Sequence, residues 1–339
     1  MPAIFWVTTR CNLNCKYCYE GKNKYEKSMS KDVVDRAIEY TLDYFKDRET
    51  DKKELIVPIH GGEPFLEFGT IKYVVKKFRE QCDKKSTKLL FCTTTNGTLL
   101  NDEMIDFIVK EMIDVTVSID GTKKTHDKMR PFKSGEGSHD IVLKNVYKLI
   151  KYKPNIRIRM TFDSDTVCSL FEDIKYLIDR KFKVIVPAPN LFDTNWDDKH
   201  VAILEDQIRK IKEYANGRKD LLISIIDGNL YFPKGYCRGG DTSFHIYPDG
   251  KIYPCILSAG NDEFCIGDIY NGINELRRDY LLGFSKIRNP DCYGCKLYNY
   301  CDGPRCKIVN KIITGDYFSP PPMNCSLENL QYKINLLNK

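Results

Sequence analysis

From its first residue to about residue 220 the chain repeats one phrase six times, a short β-branched apolar run followed by a longer amphipathic stretch. That alternation predicts parallel strands joined by helices. The expected strands are 3–8, 54–60, 88–94, 113–119, 156–162 and 182–187, and the expected helices lie near 30–47, 67–82, 101–111, 138–152, 169–180 and 200–216. Ser30 ahead of Asp32, and Asn101 ahead of Asp102 and Glu103, have the arrangement of N-terminal caps. Six such units fit an α/β fold built as a partial (β/α)6 TIM-like barrel, although the pattern alone also permits a doubly wound open sheet. From about residue 221 the alternation stops and cysteines become dense. The reading is therefore two domains, 1–220 and 221–339, in keeping with ~100–200 residues per domain.

In parallel α/β folds the chemistry sits at the carboxyl ends of the strands. The first strand is followed by Cys11, Cys15 and Cys18, spaced Cys-x3-Cys-x2-Cys. A structural zinc site or an electron-transfer cluster closes with four protein ligands, so three cysteines leave one iron of a cubic cluster free to hold a substrate or cofactor. Reduced core cysteines are the structural alternative, but these three share a polar, aromatic-flanked loop. After the second strand comes Gly61-Gly62-Glu63-Pro64, where paired glycines allow close backbone approach and the acid can receive an ammonium group. Thr94-Thr95-Asn96-Gly97 follows the third strand, and Ser118-Ile119-Asp120-Gly121 ends the fourth. Each alone reads as a turn. Their placement at four successive strand ends is the stronger signal.

The triplet, with aromatic Tyr17 before its third cysteine, and the three following elements resemble the radical S-adenosylmethionine (SAM) enzymes. By that resemblance the cysteines hold a [4Fe–4S] cluster whose open iron chelates SAM, and a 5′-deoxyadenosyl radical abstracts a substrate hydrogen. Gly61, Gly62, Glu63 and Pro64 would hold the SAM amino group with Glu63 as acceptor. Asn96 belongs to the same SAM-binding set, Ser118 and Arg130 would position ribose and carboxylate, and Tyr17 would lie along the adenine. His126, in His126-Asp127-Lys128-Met129-Arg130, is either part of that pattern or a loop histidine that only hydrogen-bonds. Asp120 is open between a site role and a helix cap.

In the second domain Phe244 to Tyr253 reads as a hairpin turning at Asp249-Gly250. Cys237, Cys255, then Cys292-x2-Cys295-x5-Cys301-x4-Cys306 and finally Cys325 resemble the SPASM extension of peptide-modifying radical SAM enzymes, which carries two auxiliary [4Fe–4S] clusters. The resemblance implies Cys292, Cys295, Cys301 and Cys325 around a distal cluster and Cys237, Cys255 and Cys306 around a proximal one. The gap before Cys306 is four residues rather than the usual three, and the proximal set lacks an upstream fourth cysteine. Either Cys265 completes it or a substrate thiolate does, with the open site favoured. Cys82, Cys92 and Cys168 are expected to be small buried hydrophobes.

The implied activity is that of a maturase of ribosomally made peptides, forming a cross-link, foremost a cysteine thioether. A sulfatase-maturing enzyme shares the layout, but the carboxylate that group carries after the cysteine of Gly-x4-Cys is Ile256 here, leaving Asp241 or Asp249 as substitutes. Carbon–carbon cross-linking, decarboxylative chemistry and epimerisation, with Cys265 as hydrogen donor, are further outcomes. A non-catalytic iron–sulfur carrier is the reading from another class. The implied cofactors are SAM and three [4Fe–4S] clusters. The implied partners are a small precursor peptide, an electron donor such as ferredoxin or flavodoxin, and a separate leader-binding protein. Fourteen cysteines without a secretion signal point to the cytoplasm of an organism that tolerates little oxygen. No stretch approaches the ~18 apolar residues of a membrane span. The formal charge of +6 shrinks to about +1 to +2 once cluster thiolates are counted, and nucleic acid is not an expected partner.

Overall fold

The structure, a computed structural model, describes residues 3–20, 26–46, 54–82, 87–228, 231–303, 305–321 and 323–337. Most of the charged run between Lys46 and Glu54, and Pro322 of the triple proline, lie outside the described residues. The six expected strands appear as β1 (Ala3–Thr8), β2 (Glu54–Gly61), β3 (Lys88–Thr95), β4 (Met112–Ser118), β5 (Arg157–Phe162) and β6 (Val184–Pro189). Between and after them run α1 (Lys31–Lys46), α2 (Phe68–Gln81), α3 (Asp102–Glu111), α4 (Lys123–Met129), α5 (His139–Leu149), α6 (Leu170–Asp179) and α7 (Asp198–Ala215). The expected caps are made: Asn101 Oδ1 accepts from the Met104 N–H at 2.9 Å, and Ser30 Oγ from the Val33 N–H at 3.2 Å. The short α4 has almost no apolar periodicity to announce it, and Thr122 caps it.

By contacts the chain forms two units. The first comprises Met1–Asn12, Glu20–Val115 and Arg238–Gly283. Here β1, β2 and β3 run parallel, with Phe5 beside Ile59 and Val57 beside Phe91. Phe5, Phe78 and Phe91 are fully buried and pack edge to face, with centroids 5.3 and 6.1 Å apart. Each such ring stabilises the fold by roughly 1.5–3 kcal/mol through burial alone. The expected hairpin forms as β8 (Phe244–Ile246) and β9 (Lys251–Tyr253), turning at Gly250 with φ 85°. Local pattern could not show that β8 joins β1 in parallel, Ala3 beside Phe244, so that the cysteine-dense region extends the sheet. Two short strands, β10 (Gly267–Asp268) and β11 (Gly272–Ile273), follow, and then α8 (Glu275–Lys286).

The second unit comprises Leu13–Tyr19, Thr116–Cys237 and Phe284–Lys339. The end of β4, then β5, β6 and a short β7 (Leu222–Ile223), pair in parallel through Val117, Ile158, Ile185 and Ile223. Leu177 of α6 and Ile208 of α7 are fully buried. Its carboxy-terminal part holds α9 (Lys307–Thr314), ended by Gly315 at φ 80°, and α10 (Asn324–Tyr332). Among the described residues no helix is long and apolar enough to cross a membrane.

Candidate active site

In the first unit the exit of β2 lies against the start of the cysteine loop. The Gly62 N–H donates to Thr8 O at 3.0 Å and the Glu63 N–H to Arg10 O at 2.8 Å. A Cβ on Gly61 would stand 2.6 Å from Thr8 O, and one on Gly62 2.5 Å from Arg10 O. The glycine pair is thus demanded by the chain's own backbone, and it holds the cysteine loop in place. Glu63 is fully buried, and its carboxylate accepts from the Phe65 N–H (3.1 Å), the Thr95 hydroxyl (2.8 Å) and the Asn96 N–H (2.7 Å). Burial pushes its pKa up to about 7 against these three donors. Two carboxylate oxygens offer about four acceptor positions, so room is left for an ammonium. Buried Pro64 opens the turn that follows. Asn96 directs its amide nitrogen to Asn12 Oδ1 at 2.9 Å and to Cys11 Sγ at 3.9 Å, while its Oδ1 accepts from the Thr98 N–H at 2.9 Å.

On β1 and β2 of the same unit, Trp6 and His60 stand side by side with ring centroids 4.6 Å apart. Trp6 Nε1 donates to His245 Nδ1 at 3.1 Å, and burial, reinforced by His60, brings the His245 pKa down to about 3. Ile256 and Cys265 pack on the cluster of Ile4, Trp6, Tyr247, Tyr253 and Ala259. The Cys265 thiol donates to Gly267 O at 3.3 Å. Sequence reading passed over Trp6, His60 and His245, although the first two fall near the ends of adjacent strands.

In the second unit Asp120 organises the residues expected at the SAM site. It is fully buried, receives the Tyr17 hydroxyl and Arg130 Nε on one oxygen (Arg130 at 2.9 Å), and takes the Thr161 N–H on the other at 3.0 Å. The Arg130 guanidinium lies 5.1 Å from the Tyr17 ring centroid. Desolvation pushes the Cys15 thiol up to about 11, with Arg130 pulling the other way. Gly121, at φ 99°, makes the turn possible, since a Cβ there would meet Asp173 Cβ at 2.2 Å. Asp120 is a clamp, not the cap of α4. His126 is fully buried, its Nδ1 accepting from the Asp120 N–H at 3.2 Å and its Nε2 meeting Ser138 Oγ at 3.0 Å. The Ser138 hydroxyl donates to Arg130 O at 2.6 Å, which makes His126 a neutral brace behind Arg130. Burial lowers its pKa well below the ordinary histidine value. Ser118, also buried, ends β4 beside Arg159.

Of the loop cysteines, Cys15 and Cys18 belong to this unit, with the Cys18 N–H donating to Cys15 O at 3.3 Å. As the side chains stand, no three Cys, His or carboxylate groups among the described residues converge as metal ligands. Cys292, Cys295, Cys301 and Cys325 are nevertheless near neighbours. Cys325 and Cys295 add to the burial that raises the Cys292 pKa, and Cys325 adds to the burial that pushes Cys301 up to about 12. The Cys306 N–H donates to Asp302 O at 2.8 Å, and Cys237 O accepts from the Ser285 hydroxyl at 3.2 Å. In the first unit Cys255 meets Ser258 Oγ at 3.4 Å. Cys82 is buried and Cys92 partly so, but Cys168 is exposed: it sits in the turn ahead of α6, outside the apolar face expected to cover it.

Successive parallel β-strand and α-helix units carrying a three-cysteine loop after β1, with a thiol facing an amide donor and a second beside a buried guanidinium, define a cluster-dependent radical enzyme. The chain belongs to the Radical SAM superfamily, whose sequence profile matches residues 7–177. It is similar to the cysteine-type anaerobic sulfatase-maturating enzyme of Clostridium novyi, 27% identical over 78% of this chain and 75% of that one. It is also similar to the subtilosin biosynthesis protein AlbA of Bacillus subtilis, 28% identical over 80% of this chain and 58% of that one. The fold is that of native anSMEcpe, solved with AdoMet and a peptide, at TM-score 0.81 and 20% identity over the whole of this chain and 98% of that one. The family implies SAM and a [4Fe–4S] cluster. The donor set fits them, since Asn96 aims an N–H at the Cys11 sulfur and Arg130 offsets the charge of a Cys15 thiolate.

Proposed function

We propose that this protein is a maturase of small ribosomally made peptides that joins a peptide cysteine to a carbon radical as a thioether. In this reading Cys11, Cys15 and Cys18 hold the SAM cluster, and Cys292, Cys295, Cys301 and Cys325 the distal auxiliary one. Cys237, Cys255 and Cys306 hold the proximal one, leaving a position for the peptide thiolate. Residues 221–339 form the auxiliary module that follows, in sequence, a barrel of residues 1–220. When bound, the SAM cluster and SAM supply the 5′-deoxyadenosyl radical that removes hydrogen from carbon. The chain's own residues position and exclude. Glu63 receives the SAM ammonium in a dry pocket beside Gly61, Gly62, Pro64 and Asn96. Arg130, its Nε committed to Asp120, offers its remaining N–H groups to the SAM carboxylate, with Ser118 at the ribose and Tyr17 at the adenine. The peptide loses one hydrogen atom from carbon and one proton and one electron from the thiol side, for which an iron–sulfur cluster held by the carboxy-terminal cysteines would be the acceptor, so the product is lighter by two hydrogens.

The observation that carries the thioether over formylglycine formation is Ile256. It packs on the Trp6 and Tyr253 cluster and takes no proton. The acids named as substitutes are engaged: Asp241 accepts from Arg238 at 2.6 Å, and Asp249 accepts the Lys251 N–H at 3.2 Å while standing 3.7 Å from Lys27. His245, its pKa brought down to about 3, is too weak a base. The Cys265 thiol, turned to Gly267 O, supports leaving the proximal position to substrate. The second reading, sulfatase maturation, is favoured by the likeness over 98% of anSMEcpe.

The test is anaerobic: reconstitute the clusters, count iron, add SAM and dithionite, and analyse short peptides by mass spectrometry. SAM cleavage with a peptide two hydrogens lighter and resistant to thiol alkylation supports the thioether. An aldehyde captured by a hydrazine on a cysteine peptide moves the assignment to sulfatase maturation. Iron-replete protein that never cleaves SAM overturns both and leaves the carrier reading.

A further inference from the structure

Near Cys292 lies a buried lysine whose ammonium has no hydrogen-bond partner. Lys307, the first residue of α9, is 1% exposed, and its Nζ has no hydrogen-bond partner. The ammonium stands over the Phe318 ring, 4.4 Å from its centroid. The ionisable groups that bear on it are the Cys292 thiol and the Asp316 carboxylate, and Asp316 is occupied with the Ser319 hydroxyl (2.7 Å) and the Phe318 N–H (3.2 Å). A buried, unpaired ammonium is among the costliest groups a core can hold, and a leucine or methionine would fill the same volume without that cost. The position makes physical sense once an anion sits at Cys292.

The surrounding residues repeat the theme. Arg288 donates to Cys292 O at 3.2 Å, and Arg305, 7% exposed, donates to Cys301 O at 3.1 Å. Both guanidinium groups lie over the Tyr298 ring, at 4.1 and 4.5 Å. Three cations therefore flank the turns that carry two of the four distal cysteines. The opposing charges are Asp291 near Cys292, Asp302 near Cys301, itself paired with Lys234 at 2.9 Å, and Glu328 near Cys301, whose carboxylate is taken up by the Tyr231 hydroxyl at 2.5 Å and whose pKa burial raises.

We propose that the Lys307 ammonium is the built-in counter-charge of the iron–sulfur cluster held by Cys292, Cys295, Cys301 and Cys325, and that it raises that cluster's reduction potential so that it can accept an electron from the substrate. The proposal rests on the cluster assignment made above. Reducing the cluster by one electron makes its net charge one unit more negative, and a fixed cation stabilises that state more than the oxidised one. Lys307 acts through the cluster and is a positioning residue.

The experiment uses the full chain, reconstituted anaerobically, and follows each cluster by EPR in a dithionite potentiometric titration. Wild type is compared with Lys307→Met, Lys307→Arg and Cys292→Ala. The expected result is a lower midpoint for the signal that Cys292→Ala removes, seen in Lys307→Met and restored toward wild type in Lys307→Arg, with the other midpoints unmoved. Loss of distal iron in Lys307→Met but not in Lys307→Arg also supports the counter-charge, because methionine conserves the volume. An unchanged midpoint in iron-replete Lys307→Met overturns the proposal alone, as does equal loss of iron in both lysine variants. Iron content and spectra unaltered in Cys292→Ala overturn the cluster assignment and the proposal with it.

Discussion

Arg130 Nε donates to Asp120 Oδ2 at 2.9 Å where neither side chain meets bulk water, the two being 8% and 0% exposed. Removing one partner of a buried pair leaves the other charge stranded. Asp120 also takes the Tyr17 hydroxyl and the Thr161 N–H, so one carboxylate ties the cysteine loop, the end of α4 and β5 together. Asp120→Asn is expected to cost about 3–5 kcal/mol in chemical denaturation. SAM affinity, read by equilibrium dialysis, should fall with it, because Tyr17 and Arg130 lose their common anchor.

Glu63 sets a pH dependence of known sign. Its folded pKa, about 7, stands above the reference value of 4.5 because burial penalises the carboxylate. The protonated form is therefore favoured on folding, and that stability is present below pH 4.5 and is lost as pH rises through 7. The shift corresponds to about 3 kcal/mol. Unfolding free energies of wild type and Glu63→Gln, measured at pH 4.5 and pH 8, should diverge by about that amount, with wild type losing more at the higher pH. Equal pH profiles would show that Glu63 does not carry the effect.

Much of this architecture was legible from local pattern, and what was not has physical causes. Short apolar runs bounded by turn residues mark the strands, β1 buried throughout and β2 and β5 burying alternate positions, so β1 to β6 were found nearly to the residue, as was the Asp249-Gly250 turn. The pairing of Ala3 with Phe244 leaves no trace in either segment's periodicity. The roles of single polar residues were also hidden. Asp120 and His126 could have been a cap and a loop histidine, and only the fold brings Arg130, Ser138 and Thr161 around them. Gly61 and Gly62 were read as room for a ligand; that the carbonyls of Thr8 and Arg10 stand where their Cβ atoms would fall is a second demand for glycine, one that only the fold reveals.

Those carbonyls give the glycine pair a sharp test. In Gly62→Ala the new Cβ would fall 2.5 Å from Arg10 O and 2.7 Å from Thr9 O, backbone atoms that yield only if the cysteine loop moves. The variant should keep the iron proposed for the carboxy-terminal cysteines while losing the iron assigned to Cys11, Cys15 and Cys18, and SAM cleavage with it. Gly121→Ala acts through the other unit: φ 99° and the contact with Asp173 strain the turn that presents Asp120, at a cost of about 1–3 kcal/mol or more. Normal iron content with normal SAM turnover in Gly62→Ala would refute the role given to β2.

Under the proposed assignment the two cysteine groups should fail differently, one serving formation of the radical and the other removal of the electron. Cys15 sits beside Arg130 and Asp120, so Cys15→Ala is expected to abolish SAM cleavage altogether. Cys292 stands with Cys295 and Cys325, away in sequence from every residue expected to touch SAM. In Cys292→Ala the radical should still form, while the electron left on the substrate finds no acceptor. SAM consumption should continue, with 5′-deoxyadenosine accumulating and the cross-linked peptide reduced at least tenfold, about 1.4 kcal/mol in the barrier of the closing step. Chromatography of 5′-deoxyadenosine beside mass spectrometry of the peptide separates the two. Equal loss of both products in Cys292→Ala would mean that the distal cysteines hold the fold together and take no part in electron flow.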